Sequence, residues 1–123
     1  MKKLFLVCLM MLTGSAWAEW VMYEKTESST SYYDPATIRK DGNMRRVWQL
    51  NDLRERNTSG VMSRRIRQEL DCKQESYRIL AFLSHSEPMA GGTILESADE
   101  QKIWRAIPPN TVAEALLKIV CAK

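Results

Sequence analysis

The chain has 123 residues, is 45% hydrophobic and 27% charged, and holds 5 Gly and 4 Pro, which excludes disordered, collagen-like and multidomain proteins. Its formal charge is +3, but Lys2 and Lys3 lie in a removable leader, and without them 16 Lys+Arg stand against 15 Asp+Glu, a net of +1. So nearly neutral a protein has no global field to draw in DNA, and no nucleic-acid partner is expected.

Met1-Lys2-Lys3 forms a short positive start, and Leu4 to Leu12 is an apolar run of nine residues. Ala16-Trp17-Ala18 then places small residues on either side of a large one, as signal peptidase requires. Residues 1–18 are read as a cleaved signal peptide and 19–123 as one domain around one core. The apolar run falls short of the roughly 20 residues that span a bilayer, and no later segment is apolar enough to cross one. Cys8 sits inside the run behind Phe5-Leu6-Val7, not after small residues at its end, so it is no lipidation site. The expected product is exported, periplasmic or outer-membrane associated, and not a lipoprotein. Cys72 and Cys121 remain, and an even count in an exported chain reads as a disulfide, with free thiols or a link to another chain as the alternatives. An intramolecular bond would close a loop of about 50 residues, worth about 4 kcal/mol in the chain-entropy picture.

Turn residues recur at strand spacing along the mature part. Trp20 to Tyr23 reads as a first strand and Thr30 to Tyr33 as a second, with a polar loop between them. Asp34-Pro35 starts a helical turn through Ile38 with Asp34 as its cap, and Lys40-Asp41-Gly42-Asn43 is a tight turn. Met44 to Asp52 alternates as a third strand, with Met44, Trp48 and Leu50 on one face and Arg45, Gln49 and Asn51 on the other. After a loop ending at Gly60, Val61 to Cys72 is a fourth strand. Met62, Ile66, Leu70 and Cys72 share one of its faces; Ser63, Arg65, Arg67, Glu69 and Asp71 share the other. An antiparallel hairpin that keeps the apolar faces together puts Trp48 opposite Ile66, Met44 opposite Leu70, Arg45 opposite Glu69 and Gln49 opposite Arg65. Arg46 and Arg64 then fall on the apolar face and are expected at sheet margins.

Tyr77 to Ser84 is a fifth strand, apolar on both faces and so expected to be covered on both. Pro88 to Gly92 is a turn, Thr93 to Glu96 a sixth strand, and Trp104 to Ile107 an extended segment ended by Pro108-Pro109. A helix closes the chain. Thr111 and Glu114 make a capping box, Val112, Leu116, Ile119 and Val120 an apolar stripe, and Lys118 and Lys123 lie near the negative end of the dipole. The fold class is α+β: a single antiparallel sheet of about six strands, a C-terminal helix packed on one face and one disulfide tying that helix to the fourth strand.

No arrangement for catalysis stands out. His85 is the single histidine, and the adjacent Ser84 and Ser86 point to the opposite face of the strand, so it reads as a surface residue at a strand end. No close carboxylate pair, Gly-rich phosphate loop, HExxH pattern or CxxC is present, and neither a cofactor nor a metal is expected. Residues 39–67 hold nine Lys+Arg against three Asp+Glu. Arg45, Arg65 and Arg67 are expected to point the same way and form the candidate binding surface. The competing reading is a solvated face with cross-strand ion pairs, Arg45 with Glu69 among them. Trp20, Trp48 and Trp104 are expected in the core or covering the sheet.

The runs Tyr33-Asp34-Pro35-Ala36-Thr37-Ile38, Asp41-Gly42-Asn43 and Val47-Trp48 occur together with Asp71-Cys72-Lys73, Trp104, Pro108-Pro109, Val112 and Val120-Cys121. As a set they resemble the surface-adhesin protein E family of exported proteobacterial proteins, over nearly all of residues 20–121. The resemblance implies an antiparallel sheet, a C-terminal helix held by the Cys72–Cys121 bond, and adhesion to host extracellular-matrix proteins. The function expected is a non-catalytic exported domain that binds a protein or cell-envelope component. The second reading is a periplasmic small-ligand-binding protein, with a homodimeric form that places its site between the sheet and a partner.

Overall fold

The computed structural model describes residues 19–99 and 103–122; the expected signal peptide lies outside them. The strands are β1 (Val21–Lys25), β2 (Ser29–Tyr33), β3 (Arg39–Asp41), β4 (Met44–Leu53), β5 (Ser63–Asp71), β6 (Ser76–Glu87), β7 (Gly91–Asp99) and β8 (Arg105–Ala106), and one helix, α1, covers Val112–Val120. All pair antiparallel in a single sheet of order β1-β2-β4-β5-β6-β7, with β3 added to β4 and β8 to β6.

Local chemistry sets most boundaries. The Asp34 carboxylate accepts from Ala36 N at 3.0 Å and caps a 3-10 turn over Pro35–Thr37. Gly42 takes φ +61 in the β3–β4 turn, where its missing Cβ makes that conformation cheap. Thr111 Oγ1 accepts from Glu114 N at the start of α1, while Glu114 Oε1 accepts from Asn110 N, one residue earlier than a capping box would place it.

The main core lies between α1 and one face of the sheet. Val47 and Leu70 meet Ile107, Leu116, Leu117 and Val120 there. The Cys72–Cys121 disulfide, with Cα atoms 5.8 Å apart, fastens the end of α1 to the end of β5. Gln68 Nε2 donates to Gln49 Oε1 at 2.6 Å and Gln49 Nε2 to Tyr23 Oη at 2.7 Å, so these three are satisfied by one another, while the buried Ser84 Oγ on the same face has no partner among the described residues. Burial, as the main cause, raises the Tyr23 phenol above its ordinary value.

The β4–β5 register differs from the expectation by one residue: Trp48 lies opposite Arg67, Met44 opposite Asp71, Gln49 opposite Ile66 and Arg46 opposite Glu69. Apolar matching fixes a register only where one face is buried and the other wet. Here Val47 and Leu50 are both buried on opposite faces of β4, so the pattern carries no such preference and the turn decides. That turn is built by Asn57, whose Oδ1 accepts from Ser59 N and Val61 N, and by the Leu53 N to Met62 O bond that ends the ladder.

Two further expectations are corrected and one is narrowed. His85 is not a surface residue: it is 2% exposed, beneath the 3-10 turn Pro88–Ala90 that folds over the sheet. Trp104, expected in the core or covering the sheet, takes the second place: it is 38% exposed and lies against Arg78 of β6. Leu117, outside the expected stripe, is buried. The sixth strand runs from Gly91 to Asp99, longer than its sequence signals, because ladder bonds to β6 carry it through polar residues.

Candidate functional site

The one-residue shift in register decides which side chains share a surface. Residues opposite one another in the ladder lie on the same face, so Arg46, Trp48 and Leu50 share the face away from α1 with Ser63, Arg65, Arg67 and Glu69 of β5 and with Arg78, Leu83 and His85 of β6. Arg45 is on the other face. Its Nε donates to Val120 O at 3.0 Å and its Nη1 to Gly42 O at 2.8 Å, so it holds the last turn of α1 against the sheet. Of the three arginines expected together, Arg65 and Arg67 are brought together and Arg45 is not.

On the shared face, Glu69 is a buried carboxylate held by two cations, Arg46 at 3.2 Å and Arg78 at 2.7 Å. The Arg45–Glu69 pair does not form. The Arg78 guanidinium also sits 4.8 Å from the ring centre of Trp104. Arg65 Nε donates to His85 Nε2 at 3.0 Å, which requires a neutral imidazole with its proton on Nδ1. Burial first, and the Arg65 charge second, lower the His85 pKa. Nδ1 itself is buried with no partner among the described residues.

Arg67 stands apart. It is half-buried opposite Trp48, and it makes no hydrogen bond or ion pair with any described residue. Beside it lies a cleft of about 280 Å³ lined by Trp20, Asp34, Thr37, Trp48 and Arg65. The 34–37 turn builds its wall. Asp34 N donates to Trp48 O at 3.1 Å, Trp48 N to Thr37 Oγ1 at 3.0 Å, and Thr37 Oγ1 to Asp34 O at 2.7 Å, which stitches the turn to β4.

The arrangement can bind; it is poorly suited to acid–base or nucleophilic work. Ser63 Oγ donates to Glu87 O and accepts from Ala90 N, while the His85 nitrogens face Arg65 and a sealed interior, so no hydroxyl, imidazole and carboxylate converge there. Among the described residues, no cluster of His, Cys, Asp and Glu could hold a metal ion. None of the helices they form is long and apolar enough to cross a membrane. Sequence reasoning placed Arg65 and Arg67 on one face of β5 but missed what surrounds them. Only the correct register puts Trp48 beside Arg67 and Glu69 between Arg46 and Arg78.

A family model described as surface-adhesin protein E matches residues 20–122. No curated protein matches the chain. Solved structures of Haemophilus influenzae protein E share the fold. Crystal form II superposes with a TM-score of 0.66 at 16% identity, over 88% of this chain and 91% of that one. A second structure of the same protein gives 0.65 at 16% identity, over 88% and 87%. Protein E from non-typeable Haemophilus influenzae gives 0.61 at 15% identity, over 89% and 79%.

Proposed function

The chain belongs to the surface-adhesin protein E family, and from that premise we propose that it is a non-catalytic, exported binding domain whose partner is a protein or cell-envelope component. Its contact surface is the sheet face bearing Trp48, Arg65 and Arg67, in place of the Arg45-containing face expected from sequence. One observation carries this reading: Arg67, a half-buried residue opposite the Trp48 indole, has a guanidinium with no hydrogen-bond or ion-pair partner among the described residues. Such a cation is held only by water in the free protein, and an acidic partner that docks there can replace that water with charge-assisted hydrogen bonds. Arginine and tryptophan together are also the residues that most often dominate binding energy at interfaces.

Export is supported by the basic, apolar and small-residue pattern of residues 1–18 and by a disulfide, which persists in oxidising compartments. The family's name makes host extracellular-matrix proteins one class of partner. A small-ligand reading has the cleft beside Trp48 in its favour, and native mass spectrometry of protein purified from its own host separates the two, since a retained ligand selects the second.

The test is site-specific photo-crosslinking in intact cells. A crosslinker at position 67 is expected to give adducts with an envelope or matrix component, weakened by added salt, whereas one at position 118, exposed on α1 on the other side of the sheet, is expected to give none. Equal adducts from both positions, or none from position 67, would contradict the proposed surface.

A further inference from the structure

The cleft on this face has a composition that specifies more than charge. Trp20 and Trp48 supply flat apolar walls, and neither indole N–H has a partner among the described residues. Asp34 lies at the cleft with one carboxylate oxygen engaged by Ala36 N, which leaves acceptor capacity on the other. Arg65 spends its Nε on His85, and this bond fixes the direction of the remaining guanidinium fork. Arg67 adds a second, unpaired cation beside Trp48. Two guanidiniums against one carboxylate leave an excess positive charge.

We infer that this cleft binds an anionic saccharide, a sugar ring carrying a carboxylate, sulfate or phosphate. The inference rests on the reading of this face as the contact surface. A pyranose offers an apolar C–H face to an indole, hydroxyls to a carboxylate and free N–H donors, and, when acidic, an anion to an arginine fork. Each of these complements is present in the cleft, whose volume of about 280 Å³ suits a single ring better than a folded peptide segment. The fork held by His85 is pre-organised, so ordering it on binding costs little. A neutral sugar would leave the cationic pair uncompensated. A bare inorganic anion would leave both indoles unused.

The measurement is tryptophan fluorescence titration of the purified protein with five probes: a sulfated heparin tetrasaccharide, a muramic-acid disaccharide, a neutral chitobiose, adenosine monophosphate and inorganic sulfate. One or both acidic saccharides are expected to bind at least about tenfold tighter than the other three probes. Preference for the heparin fragment identifies a host-surface glycan as the source, and preference for the muramic-acid disaccharide identifies the bacterial envelope. Trp48→Ala and Arg67→Ala should each weaken binding about tenfold, Arg67→Lys should recover part of the loss, and Lys118→Ala, on the exposed side of α1 across the sheet, should change nothing. Circular dichroism and an intact disulfide confirm that each variant is folded. Equal binding of chitobiose, sulfate or the nucleotide would overturn the inference, as would no saccharide binding below millimolar concentration. If no saccharide binds but Arg67→Glu still abolishes salt-sensitive crosslinking to a polypeptide, the saccharide assignment alone fails. If that variant also leaves crosslinking unchanged, both readings fail.

Discussion

Arg65 and His85 are joined by a 3.0 Å hydrogen bond in which the guanidinium donates to the imidazole. A protonated imidazole has no acceptor lone pair, so the bond exists only while His85 is neutral. Burial and the adjacent cation lower its folded pKa, whereas the unfolded chain titrates near the ordinary value of about 6.5. The unfolded state therefore binds more protons as the pH falls below that value. Stability is full above about pH 6.5 and is lost as the pH falls from there through the folded pKa. Urea midpoints between pH 8 and pH 5 should show this slope, and His85→Gln should flatten it. An identical slope in the variant would assign the pH dependence to other groups.

Reduction of the Cys72–Cys121 bond releases the end of α1 from β5. The cysteines are 49 residues apart, and a loop of that size is worth about 4 kcal/mol in the chain-entropy picture. The Cys72→Ser/Cys121→Ser variant should lose about that much in urea unfolding, and reductant should lower the Tm of the native chain but leave that of the variant unchanged.

Arg45→Ala removes the donors to Val120 O and Gly42 O. A loss of about 1–2 kcal/mol in stability is expected, from these charge-assisted bonds and a third to Met44 O, all with partly exposed geometry. Binding by the opposite face should be unaffected once the variant is folded, which makes Arg45 the control that separates the corrected surface from the one expected from sequence.

Glu69→Ala leaves Arg46 and Arg78 facing each other without their carboxylate. Both arginines reach solvent, so the cost falls below that of a fully buried network, at roughly 2 kcal/mol. Double-mutant cycles with Arg78→Ala should give a coupling larger than with Arg46→Ala, because Arg78 is the closer and less exposed partner.

Gly92→Ala tests the β6–β7 hairpin. Gly92 has φ +72, and an added Cβ would run into the Ser86 hydroxyl and the Glu87 side chain. A destabilisation of about 1–3 kcal/mol is expected from the left-handed backbone and the clash together, read as a lowered urea midpoint.

Sequence pattern disclosed the six main strands, the Asp34 and Thr111 caps, the helix and the disulfide, because each depends on local or covalent chemistry, but it missed the short β3, whose Lys40 and Asp41 read as turn. Register was not disclosed. Val47 and Leu50 are buried on opposite faces of β4, so period-two alternation had no single inside to report. The burial of His85 was hidden for a related reason: Ser84-His85-Ser86 reads as polar, and what covers it is the Pro88–Ala90 turn, in which Met89 and Ala90 adopt φ values of 55 and 63 that no local pattern announces. Arg65 and Arg67 were visible as a pair because they lie on one strand, two residues apart. Their relation to Trp48 crosses between strands and was misplaced by one position.

On the proposed reading, the face bearing Trp48 and Arg67 is where this protein meets its partner. Its most direct test compares Arg67→Glu with the unaltered chain for binding to immobilised extracellular-matrix and envelope preparations across a salt series. The account predicts that binding by the unaltered chain weakens with salt, and that Arg67→Glu lowers it about tenfold or more at low salt with a shallower salt slope. Equal affinities and parallel salt slopes for the two proteins would contradict it.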